Sequence, residues 1–137
     1  MGLDVYIKEM DREAQYTGFI AKGEVGYFRD CYNDYSLANW LSRNIVKNAR
    51  GSWGLAIFTE RKDINTAKWR KDLLETARQW YEEAKKLRGK TTYVGYPQRK
   101  AIKLNKKDAD AYIDWCKELL TFAEKLNEIK GTVIVSA

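Results

Sequence analysis

The chain has 137 residues, 45 % of them hydrophobic and 13 % aromatic, which is enough for one core and too little for two ordinary domains, so residues 1–137 read as a single domain. Twenty-five basic against 19 acidic side chains leave a net charge of +6, which argues against an acidic mimic of nucleic acid and for a negatively charged partner. No histidine is present, which removes Ser-His-Asp and Cys-His catalytic arrangements and most zinc sites.

Residues 3 to 9 alternate, with Leu3, Val5 and Ile7 on one side and Asp4, Tyr6 and Lys8 on the other, the pattern of a half-buried strand. A second extended region is expected over 16–29, punctuated by Gly18, Gly23 and Gly26, with a hairpin turn near Gly23. Within it Val25, Tyr27 and Arg29 share one face, and Gly26 and Phe28 the other. Asn33 and Asp34 read as turn and cap residues before a helix over 35–47 whose apolar stripe is Leu37, Trp40, Leu41 and Ile45. Leu55 to Phe58 reads as a short strand.

The longest helical signal is Trp69, Leu73, Ala77, Trp80, Ala84 and Leu87, with Asp63 or Asn65 as its cap and Gly89 just past its end. Short strands are expected over 91–96 and 100–104, around a turn at Gly95-Tyr96-Pro97-Gln98. Asn105 and Asp108 then open a last helix that buries Ile113, Cys116, Leu120 and Ala123 and is stopped by Gly131, and TVIVS forms a closing strand. The expected fold is α+β: a small, mainly antiparallel sheet with one short and two long helices packed on it.

The opening MGLDVYIKEMDRE has no continuous apolar run and no stretch approaches the roughly 18 apolar residues that cross a bilayer, so a cytoplasmic protein without membrane contact is expected. Cys31 and Cys116 lack C-x-x-C partners and read as reduced thiols.

The positive charge is concentrated. Residues 1–58 are neutral, 59–107 carry +9 and 108–137 carry −3. The segment KKLRGKTTYVGYPQRKAIKLNKK, residues 85–107, holds nine Lys or Arg and no acid. One reading is structural: Lys85, Lys86 and Arg88 complement the negative end of a helix, while Lys100 and Lys103 protect a strand edge. The functional reading has Arg88, Lys90, Arg99 and Lys100 meeting phosphates while Tyr93 and Tyr96 stack on bases. No Walker A loop or nucleic-acid-binding signature accompanies it.

A second constellation, EVGYFRDCYNDYSLANWLSRN at 24–44, gathers Tyr27, Arg29, Asn33, Trp40 and Arg43 about a strand-to-helix junction, where backbone N–H groups and a forked guanidinium suit an anion. The competing reading is a capped turn with Tyr27 and Trp40 in the core. Asp4, Glu24, Asp30 and Asp34 would come together if the first two extended regions pair, and such carboxylates hold Mg²⁺ in a hydrolase. Their spacing is not diagnostic, so no cofactor or metal is assigned and the chain reads as a binding protein rather than an enzyme.

GLDVYI at 2–7, EVGYFR at 24–29 and a helix carrying Trp40 resemble a family of small uncharacterised phage and prophage proteins with a G-L-D-M-Y-L opening, an E-V-A-Y-W-R-K-A-N strand and an I-H-x-W helix. The resemblance covers the first third of the chain. It departs at Ala38, where the family has its histidine, and in extra residues between Arg29 and the helix. It implies a phage or mobile-element origin, and with it an accessory role in the host cytoplasm against host defence. The expected partner is an anionic, nucleotide-like small molecule. The alternatives are a nucleic acid and a host defence protein inhibited directly; exposed aromatics are compatible with a homodimer.

Overall fold

The computed structural model describes residues 2–15, 22–31, 56–86, 88, 92–94, 102–104 and 106–136, several of them as backbone alone. In chain order the elements are β1 (Gly2–Ile7), α1 (Arg12–Gln15), a 3-10 turn (Gly23–Val25), β2 (Tyr27–Cys31), α2 (Ala56–Thr59), α3 (Ala67–Lys85), β3 (Thr92–Val94), β4 (Ile102–Leu104), α4 (Lys106–Ile129) and β5 (Val133–Ser136). This is a small α+β fold. A three-stranded antiparallel sheet of order β2-β1-β5 carries the two long helices and the shorter ones, and β3 and β4 form a separate antiparallel ribbon.

β1 lies in the middle because its alternation suits both neighbours. Leu3, Val5 and Ile7 are almost fully buried, with Val5 opposite Phe28 on one side and Val135 on the other, and Ile7 opposite Val133. Burying side chains of this size contributes about 1.5–3 kcal/mol each. Beneath them sits an aromatic layer. Phe28 packs 5.0 Å from Trp115 and 6.5 Å from both Phe58 and Phe122, and Phe58 meets Trp69 and Phe122 edge-on. Tilted and edge-to-face rings align opposite ends of their quadrupoles, so such contacts are favourable beyond simple burial.

α3 packs along α4. Its buried stripe is the expected one, Trp69, Leu73, Ala77, Trp80 and Ala84, and α4 answers with Ile113, Cys116, Leu120 and Ala123. The ends differ from expectation. Thr66, not Asp63 or Asn65, caps α3: its Oγ1 accepts the Trp69 N–H at 3.1 Å while the hydroxyl donates to the Asp63 carbonyl. Asn65 is diverted to another task. It takes a left-handed φ of 71° and its amide pairs with Val133 in both directions, at 2.7 and 3.0 Å. α4 ends with Lys130, rather than Gly131, in the left-handed conformation (φ 51°), and the Gly131 N–H returns to the Leu126 carbonyl. Gly131 is needed for space, since a Cβ there would lie 2.8 Å from Ile7 Cγ2.

One further expectation is corrected. Residues 56–59 form a helical turn instead of a strand, which lets the adjacent Ile57 and Phe58 both face the core. The turn expected near Gly23 forms as a 3-10 helix over Gly23–Val25 that brings Lys22 opposite Tyr27, and Gly23 presses so closely on the α4 backbone at Glu118 and Phe122 that no side chain fits. The helix expected over 35–47 and the turn at 95–98 lie outside the described residues.

Trp69 and Trp80 offer an internal comparison. Both are buried on α3, but the Trp69 indole N–H donates to the Ile57 carbonyl at 2.9 Å, whereas the Trp80 N–H is enclosed without an acceptor among the described residues. An enclosed donor without an acceptor costs about 1–3 kcal/mol. Trp80→Phe removes that cost while opening a small void, and the net loss of stability is under about 1 kcal/mol; Trp69→Phe opens a similar void and strands a carbonyl, for a loss of about 2 kcal/mol or more. Urea denaturation of the two variants measures the difference, and equal losses contradict this account.

Candidate functional site

The face of the sheet opposite to Leu3, Val5 and Ile7 carries a largely buried polar cluster set by the β1–β2 register. Asp4 lies opposite Arg29 and Tyr6 opposite Tyr27. The two tyrosine rings stack with centroids 5.1 Å apart, and the Arg12 guanidinium sits 4.2 Å from the centre of the Tyr6 ring. The Tyr27 hydroxyl reaches along the diagonal and donates to Asp4 Oδ1 at 2.6 Å, and Arg29 approaches the same oxygen at 3.4 Å. On its other side the Arg29 carbonyl accepts the Trp115 indole N–H at 3.1 Å, which ties the free edge of β2 to α4.

The chemistry of this cluster follows from its electrostatics. Burial and the hydrogen bond to the Asp4 carboxylate push the Tyr27 phenol far above its ordinary value of 10.0, outweighing the opposite influence of Arg29. Tyr27 is therefore a fixed hydrogen-bond donor near neutral pH and not a base. Asp4 and Arg29, each about one-fifth exposed, hold one another in place.

Of the sequence-derived site residues, the structure brings Tyr27 and Arg29 together. Asn33, Trp40 and Arg43 lie outside the described residues. Arg88 follows α3, where its backbone N–H bonds the Lys85 carbonyl and its guanidinium stands 3.9 Å from Asp110 of α4. Lys90, Tyr96, Arg99 and Lys100 lie outside the described residues, and Tyr93 is placed by backbone alone, opposite Lys103 in the β3–β4 ribbon. In that register positions 93 and 103 share one face, and Thr92, Val94, Ile102 and Leu104 the other.

The basic segment divides into two parts. Its first three cations have acidic neighbours on the helices: Lys85 with Glu82 at 2.8 Å, Lys86 with Glu83 at 3.1 Å and Arg88 with Asp110. That is the expected solvated helix end, and exposed pairs of this kind are worth about 0–1 kcal/mol. Six more cations follow between 90 and 107, with no acid among them. Tyr81 of α3 joins the helices here, with Lys85 and Lys117 ammonium groups 4.9 and 5.1 Å from its ring centre.

The proposed carboxylate cluster does not assemble as expected. Asp4 is engaged by Tyr27 and Arg29, Glu24 is exposed on the 3-10 turn, and the register puts position 30 on the face opposite to Asp4. Asp34 lies outside the described residues. Among the described residues no three His, Cys, Asp or Glu side chains are grouped to hold a metal ion. No described helix is long and apolar enough to cross a membrane.

Sequence reasoning missed Tyr6, Arg12, Lys117 and Asp110. The alternation of β1 does place Tyr6 beside Asp4, but nothing local pairs Arg12 with a ring or Arg88 with a carboxylate that lies 22 positions further on. Comparison with protein-family models, with characterised proteins and with solved structures finds no match for the chain. The chemistry of the candidate site therefore rests on its own side chains.

Tyr27 yields a pH-dependent expectation. Its folded-state value lies above the unfolded one, so its contribution to stability is complete below about pH 10 and is lost as the pH rises beyond it. Tyr27→Phe loses about 1.5–3 kcal/mol at neutral pH, the worth of a hydrogen bond to a charged acceptor. Its stability also falls less steeply than the parent's above pH 10, as followed by denaturant midpoints across the alkaline range; parallel profiles contradict the assignment.

Proposed function

We propose that the protein binds a phosphate-bearing, nucleotide-like anion without turning it over, and that the basic segment following α3 supplies the cations. One observation carries this reading. Lys90, Arg99, Lys100, Lys103, Lys106 and Lys107 fall within 90–107 without a single acid, around a ribbon whose register sets Tyr93 opposite Lys103. Like charges this close in sequence repel one another, and a polyanion relieves that repulsion. Tyr93 and Tyr96, in the same segment, supply rings of the kind on which a base stacks.

The cluster at Tyr27 and Arg29 takes the secondary part in this reading. Asp4 already answers both groups, so their first duty is to hold β1 to β2. In a phage or mobile-element setting, which the opening motifs support, capture of a signalling nucleotide would blunt a host defence that depends on it.

A second reading, single-stranded nucleic acid, is favoured by the number of cations in the segment, six between 90 and 107, more than the phosphates of one nucleotide require. Calorimetric titration with cyclic nucleotides, ADP-ribose and short oligo-deoxythymidine tests both. A saturable signal is expected with at least one, weakened about tenfold or more when Arg99, Lys100 and Lys103 are together changed to Glu in a variant that keeps its circular dichroism. For the oligonucleotide, log affinity falls with log salt at about −0.7 per phosphate contacted. Silence across all probes overturns the proposal, and a salt-independent oligonucleotide signal removes the second reading.

A further inference from the structure

The Arg88–Asp110 pair is built differently from its neighbours. Lys85 and Lys86 are matched by acids three residues earlier on their own helix, at hydrogen-bonding distance. Arg88 instead faces a carboxylate of a different helix, and at 3.9 Å the pair is too long for a hydrogen bond. Asp110 as a side chain is 46 % exposed, yet its Oδ1, the oxygen facing Arg88, is enclosed and accepts no hydrogen bond. Arg88 is 58 % exposed and its backbone is fixed by the Lys85 carbonyl just past the end of α3, within the basic segment.

Resting on the anion-binding reading above, we propose that Asp110 is a latch on Arg88. In the free protein it holds the guanidinium loosely over the α3–α4 junction, and a phosphate group takes the guanidinium from it. Asp110 can be left behind because nearly half of its side chain is exposed, so water hydrates the carboxylate once the guanidinium leaves. Arg88 can leave because an exposed, long ion pair is weak, whereas a forked, charge-assisted contact to phosphate is among the strongest that a guanidinium makes. The latch lowers affinity for every anion by the same factor. It thereby sets a threshold below which weakly held anions do not occupy Arg88. Asp110 is in this sense a positioning residue that acts through Arg88.

A double-mutant cycle tests it, with ADP-ribose and short oligo-deoxythymidine as the two probes, titrated by calorimetry into the parent, Asp110→Asn, Arg88→Ala and the double variant. Asp114→Asn, an exposed acid one turn further along α4, serves as control for a general change of field. Asp110→Asn is expected to tighten binding about twofold to fivefold when Arg88 is present and to change nothing when it is Ala. Arg88→Ala alone weakens binding, and whichever probe responds identifies the source of the phosphate. Equal effects of Asp110→Asn in both backgrounds, or an equal gain from Asp114→Asn, overturn the latch while leaving the anion-binding reading intact. A parent protein silent to both probes overturns that reading and the latch with it.

Discussion

β1 is the constraint on which the described structure depends. It is flanked on both sides, by a strand about twenty residues later and by one more than a hundred residues later. Its odd-numbered side chains go into the aromatic layer beneath the helices and its even-numbered ones into the polar cluster above. A slip of one residue in its pairing would bury Asp4 under α4 and expose Leu3, Val5 and Ile7, so core and surface chemistry are set by the same register. The hydrogen bond from Tyr27 to Asp4 and the stack of Tyr6 on Tyr27 add polar and aromatic preference to a pairing that hydrophobic burial already selects.

The helices are secured to that sheet at its edges as well as through its face. Trp115 donates to the outward carbonyl of Arg29 at the β2 edge, and Asn65 matches the outward groups of Val133 at the β5 edge. Gln15 joins the carbonyls of Ile7 and Gly26 where β1 and β2 part. Each of these is a side-chain amide or indole standing in for a missing strand, which satisfies backbone groups that would otherwise be left at a sheet boundary. Arg61 plays a related part in the loop before α3. It forks onto Asp63 at 2.7 Å and reaches Asp72 at 3.0 Å, and it holds both carboxyl groups below the usual carboxylate range.

Periodicity carried most of the fold into view from the residues alone. The two-residue alternation of β1 and the three-and-four spacing of Trp69, Leu73, Ala77, Trp80 and Ala84 have one physical cause each, and both appear where they were expected. The helix boundaries were less legible because Asp63, Asn65 and Thr66 all suit a cap locally, and the choice is made by Val133, which competes for the Asn65 amide from the far end of the chain. The turn at 56–59 was hidden because a short apolar run fits strand and helix equally. Of the candidate site, the shared face of Tyr27 and Arg29 was legible, whereas their common partner Asp4 was read as one of a group of carboxylates and not as their acceptor. The basic segment was legible as charge. Of its described pairs, the two to Glu82 and Glu83 follow the local three-residue spacing, whereas the one between Arg88 and Asp110 depends on how α3 and α4 pack, which no local pattern encodes.

The late arrival of β5 also has a consequence for how the protein is made. While the chain grows on the ribosome, β1 can pair with β2 early, but its other side stays bare until residues 133–136 clear the exit tunnel. Through that interval the nascent chain presents an apolar ribbon with Val5 and Ile7 half covered and a row of open backbone groups beside them. Completion of the sheet thus waits on a segment made more than a hundred residues after β1, and chaperone holding during that interval would act on that one unfilled lane.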